Sequence, residues 1–149
     1  MPKKPKLPPA PTEDAAELLV AELVDKETLA PRRFELLHQL KESAIPPGGA
    51  NVVFDQLKRS RKPFGPEAGL KMLIVSLEGV RPEAGGEPDR SAIEPAAQLL
   101  AFFCNFKQYV KTIVNLKQLT KNLFDVLGDW ESSEAARVSA TWVLRRATE

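Results

Sequence analysis

The chain has 149 residues, with 21 Lys and Arg against 20 Asp and Glu and a formal net charge of +1. That length is enough for one domain with a core that needs no covalent staples. The near-neutral balance means that any charge-based function must come from how charge is distributed rather than from its total. One cysteine, Cys104, excludes an internal disulfide, and no apolar run reaches the ~18 to 20 residues of a membrane span.

Residues 1 to 11 contain five prolines. Each removes a backbone donor and restricts its neighbour, so this stretch reads as a disordered arm ahead of a single helical domain over 12–149. Lys3-Lys4-Pro5-Lys6 matches a short nuclear-import pattern, but a basic tail on a cytoplasmic protein is the preferred reading. Thr12 is the expected N-cap of a first helix running to about Asp25. Six acids and one lysine fall between Glu13 and Glu27.

Pro31 suits the first turn of a second helix, whose apolar side is expected to hold Phe34, Leu37, His38 and Leu40. Ile45 to Gly49 stops it. Asn51 is the expected cap of a short third helix carrying Val52, Val53, Phe54 and Leu57. Lys58, Arg59, Arg61 and Lys62 then place four cations within five residues. Leu70 to Leu77, bracketed by Pro66 and Gly79, reads as a buried helix, and Arg81 to Arg90 as a surface loop.

From after Pro95 to Leu127 there is neither proline nor glycine. With Leu99 at heptad position a, that series is Leu99, Phe106, Ile113, Thr120 and Leu127; the d series is Phe102, Tyr109, Leu116 and Leu123. Eight of the nine are apolar, which predicts one amphipathic helix over 95–127, about 50 Å long if unbroken. Lys107, Lys111, Lys117 and Lys121 lie off the a and d positions, and the only acid between residues 99 and 127 is Asp125. An exposed helix usually mixes Glu with Lys at i, i+4. These lysines therefore face the acidic first helix, an acidic protein partner or phosphates, or they lay their stems along apolar surface with the ammonium in water and need no partner. Asp129 or Ser132 is expected to cap a last helix carrying Ala135, Val138, Trp142 and Val143.

The expected architecture is thus all-α: a bundle of about six helices around one long helix. Chemistry has few footholds. Cys104 and His38 are the only residues of their types, on different helices, with Cys104 expected on a polar side. No His/Cys cluster, calcium-loop spacing or phosphate-binding glycine motif occurs, so no metal, no cofactor and no enzymatic activity are expected. The expected function is a non-catalytic adaptor or small assembly subunit, binding a protein partner or another copy of itself. Phe103, Val110, Val114, Trp130 and Trp142 are the candidate contact residues. The alternative is a helical nucleic-acid-binding subunit that uses Lys58, Arg59, Arg61, Lys62, Lys107, Lys111, Lys117 and Lys121. A recognition helix is excluded for residues 69–80, because GLKMLIVSLEGV is too apolar for a groove.

Overall fold

The computed structural model describes residues 12–25, 27–61, 65–79 and 89–148. The expected arm over 1–11, the Lys3 to Lys6 motif, Lys62 and most of the 81–90 loop lie outside them. Eight helices and no strands are present among the described residues. The all-α expectation therefore holds, but the number of helices and the single long rod do not.

The first helix, α1 (Glu13–Leu23), starts where Thr12 Oγ1 accepts from the Ala15 N–H at 3.1 Å, with Glu13 and Asp14 in its first turn. Carboxylates there complement the positive end of the helix dipole. Helix α2 (Ala30–Ala44) carries Pro31 in its first turn and buries Leu36, Leu37, Leu40 and Ala44. Its inward face is rotated from the expected one. His38 is exposed and sits 3.1 Å from Glu42, while Phe34 stacks on the His38 ring at the surface. Two consecutive leucines and Ala44 outvote one phenylalanine in choosing the buried stripe. Arg32 clamps Glu22 of α1, donating from Nη2 to Oε1 at 2.9 Å and holding that carboxyl below its ordinary value.

Arg33, on the same helix, is only 8% exposed, and its Nε has no hydrogen-bond partner. No carboxylate pairs with it among the described residues, and burial pushes its pKa below the ordinary arginine value. A buried donor left without a partner costs stability. Arg33→Met should therefore raise stability by on the order of 1 kcal/mol or more in urea unfolding. A loss of stability would instead mean that the guanidinium is well bonded in solution.

Helix α3 (Gly49–Arg59) begins earlier than expected: Gly48, at φ 82°, is its N-cap and Asn51 already lies inside it. The left-handed conformation at Gly48 turns the chain out of α2 without a side-chain cap. Asn51 Oδ1 instead accepts from the Tyr109 hydroxyl. Helix α4 (Ala68–Ser76) is buried along most of its length, as its composition predicts.

The segment expected as one rod is three helices: α5 (Ile93–Phe103), α6 (Lys107–Val114) and α7 (Leu119–Gly128). The first break has tertiary causes. Arg146 Nε donates to the Cys104 carbonyl at 3.0 Å, and Trp142 Nε1 donates to Asn105 Oδ1 at 3.1 Å. Phe106 then takes an extended conformation (φ −111°, ψ 118°) that re-aims the chain. The turn lets Tyr109 stack on Phe54 with ring centroids 4.0 Å apart. The second break, Asn115 to Gln118, ends with Gln118 in the left-handed region at φ 69°. It falls just ahead of Thr120, which interrupts the apolar series from inside α7.

The last helix, α8 (Glu134–Ala147), is capped by Ser133, whose hydroxyl accepts from Ala136 N at 3.1 Å; neither Asp129 nor Ser132 caps it. Helices α1 to α4 pack on one another, α8 lies along α5 and α7, and α5 joins the two groups by packing against α2 and α4. One continuous apolar core runs through all of them. No helix of the described residues is long and apolar enough to cross a membrane.

Candidate functional site

The outer face of α8 presents an exposed groove with apolar and cationic side chains. Its inner face is set by Ala136, Ala140 and Val143, which are buried. Two alanines let α8 approach α5 and α7 closely, and they fix which side is left outside. That outside carries Glu134, Arg137, Val138, Thr141, Trp142 and Arg145, which together line a shallow groove of about 510 Å³. Val138 is 63% exposed and Trp142 36% exposed; Trp130, just before the helix, is 82% exposed. The expected apolar set of this helix is therefore split: Val143 is buried and Ala135 half-buried, Val138 and Trp142 face out, and Ala136 and Ala140 take the inner positions. Small residues pack at the closest helix crossings, and the large ones are displaced to the outside.

The groove is preorganised. The Trp142 indole is held by its bond to Asn105, and the Arg146 guanidinium lies 5.9 Å from its ring centroid. Such a cation over an aromatic face is worth about 0.5–1 kcal/mol at an exposed site. Arg137 turns back on the α7–α8 connection, donating from Nη2 to the Ser132 carbonyl at 2.7 Å and from Nε to the same oxygen at 3.1 Å. Arg145 differs: it is exposed and makes no ion pair among the described residues.

The other candidate contact residues are scattered. Phe103 is completely buried and cannot meet a partner, because it closes α5 inside the aromatic cluster of Phe54, Phe102 and Tyr109. Val110 is half-buried and packs against the core, and Val114 is half-buried on α6.

The cations also separate. Lys107 and Lys111 are exposed on α6 and Lys117 in the turn after it, none with an ion pair among the described residues. Lys121 lies 3.9 Å from Asp125 on its own helix. Lys58 lines a groove of about 420 Å³ between α3 and α6 with Asn51, Gln108, Tyr109 and Thr112. Arg59 and Arg61 line a different groove, opposite Glu13, Asp14 and Glu17 of α1. Arg59 pairs there with Asp55 at 3.1 Å and with no α1 carboxylate.

Cys104 is buried rather than on a polar side, and burial pushes its thiol up to about 11. It is thus a protonated core residue at neutral pH, and His38 lies at the surface with Glu42. Among the described residues no group of three or more His, Cys, Asp or Glu side chains could hold a metal ion. Comparison of the chain with models of known families, with curated proteins and with solved structures finds no match.

Proposed function

We propose that the chain is a non-catalytic helical adaptor or small assembly subunit that binds a protein partner through the outer face of α8. The observation that carries this reading is the pairing of exposed Val138 with a fixed, exposed Trp142 on one helix face. Aromatic anchors held in place lose little side-chain entropy on binding, which is why Trp dominates many interface cores. Unpaired Arg145 adds a cationic edge to the same groove.

A photo-crosslinker placed at Thr141 tests it in an extract of the native cell. The expected result is a discrete protein adduct that Val138→Asp or Trp142→Ala removes while the far-ultraviolet circular dichroism stays unchanged. Absence of any adduct, or an adduct indifferent to both substitutions, refutes the reading.

One observation favours nucleic acid as a second reading: Lys107, Lys111 and Lys117 project from α6 and its following turn with no carboxylate partner among the described residues. If these three meet phosphates, affinity for short RNA or DNA should fall with salt at a log–log slope of about −2 to −3. Lys107→Glu with Lys111→Glu should then abolish binding. Binding that ignores salt and both substitutions removes this alternative.

A further inference from the structure

Charge is segregated along this chain. Helix α1 exposes Glu13, Asp14 and Glu17, and no cation lies within it. In the other half, α8 carries one acid, Glu134, in its first turn and ends in Arg145 and Arg146. The two poles also carry matching apolar groups. On α1, Asp14, Glu17, Leu18 and Ala21 follow i, i+3, i+4, i+7 spacing, so they share one face, and Leu18 is 72% exposed. On α8, Val138, Thr141, Trp142 and Arg145 follow the same spacing.

We propose that the outer face of α8 takes the outer face of α1 from a second copy of this chain. The inference rests on the reading of the α8 face as a docking surface and names its occupant. Leu18 and Ala21 meet Val138 and Trp142, while Glu17 and Asp14 meet Arg145. Glu134 fixes the direction. It sits at the N-terminal end of the α8 groove, so the acids of α1 must lie over the C-terminal end, and the two helices run antiparallel. That orientation also opposes the two helix dipoles favourably.

Within one copy, Arg59 and Arg61 share a groove with the α1 acids, but no ion pair joins them to those acids. The α1 carboxylates therefore remain available to an outside cation. Since α1 and α8 are different surfaces, the contact is heterologous, and each copy keeps one face open for the next. Helices of 11 and 14 residues give contacts only about 16 to 21 Å long, short of what a tight dimer buries, so the assembly is weak and reversible.

Analytical ultracentrifugation of the full chain tests this with two variants. One carries Glu17→Arg and Leu18→Asp; the other carries Val138→Asp and Arg145→Glu. The wild-type mass should rise with concentration at low ionic strength and return to monomer in about 1 M salt, where the Debye length is about 3 Å. Each variant alone should stay monomeric. Mixed in equal amounts, they should form a dimer that grows no further, because each supplies the face that the other lacks. That mixture also controls for folding.

A wild type that stays monomeric, a variant that still assembles, or a mixture that remains monomeric overturns the proposal. If the Thr141 adduct nonetheless forms and contains a different protein, the α8 docking surface stands and only its assigned occupant falls.

Discussion

Phe103→Ala is expected to destabilise the protein by about 3–5 kcal/mol, the range for deleting a fully buried phenylalanine. The side chain is fully buried, and its ring makes edge contacts with Phe54 at 5.1 Å and Tyr109 at 5.8 Å. It is thus where α3, α5 and α6 meet. Part of the loss is the transfer of the ring to water, part is the cavity left behind, and part is the loss of edge-to-face ring contacts. Urea unfolding should show the midpoint falling with little change in slope. Phe124→Ala is the matched control: that ring is 59% exposed, so its loss should stay within about 0.5 kcal/mol. Equal effects from the two substitutions would contradict the aromatic cluster as described.

The same ring shows what the sequence could and could not tell. Period-3.5 counting along 99–127 selects residues that do pack inward: Leu99, Tyr109, Ile113 and Leu123 are buried, and Phe102, Phe106, Leu116 and Leu127 are half-buried. Apolarity is a local property, so the pattern survives. Continuity of the helix is not local. Neither break is marked by proline or glycine, and the first depends on Arg146 and Trp142 arriving from about forty residues away to take the Cys104 carbonyl and the Asn105 side chain. Asparagine is no guide either: Asn105 and Asn115 lie at the breaks, but Asn122 lies inside α7. The first helix was legible from Thr12 and its acids, and α4 from its composition and flanking breakers, because caps and breakers act within a few residues.

The candidate surface divides the same way. Trp130 and Trp142 stand out in the sequence as anchors, and both are exposed. Val138 was expected on the apolar side of the last helix, together with Ala135, Trp142 and Val143. It lies outside because α8 crosses α5 and α7 on its alanines, and the distance between helices follows from pairing, which a one-dimensional pattern does not carry. Arg145, in the last turn of α8, carries in sequence only the signal of a cation that complements the helix dipole. Its lack of an ion-pair partner among the described residues, which matters for docking, appears only once the neighbouring helices are in place.

Gly69→Ala should also destabilise the protein strongly, against the rule for helices. Inside a helix, alanine is favoured over glycine by about 1 kcal/mol, so an isolated α4 would gain from the change. In the folded chain a Cβ at position 69 would lie 2.7 Å from the Leu57 Cα and 2.8 Å from its carbonyl oxygen. These are backbone atoms of α3, with no rotamer to yield. The approach is held from the other side as well, where the Ala68 N–H donates to the Ser60 carbonyl at 2.7 Å. Helices α3 and α4 would have to separate, opening the layer around Leu57, Leu70 and Leu73, all of which are fully buried. Overpacking of this kind costs about 1–3 kcal/mol, enough to reverse the gain in propensity. Gly128→Ala supplies the contrast, because a Cβ there meets nothing within 4 Å and the residue lies in the last turn of α7. Thermal melts of the two variants should therefore move in opposite directions, or the second should hardly move at all. A Gly69→Ala protein as stable as wild type would mean that α3 and α4 do not approach as closely as their backbones are placed here.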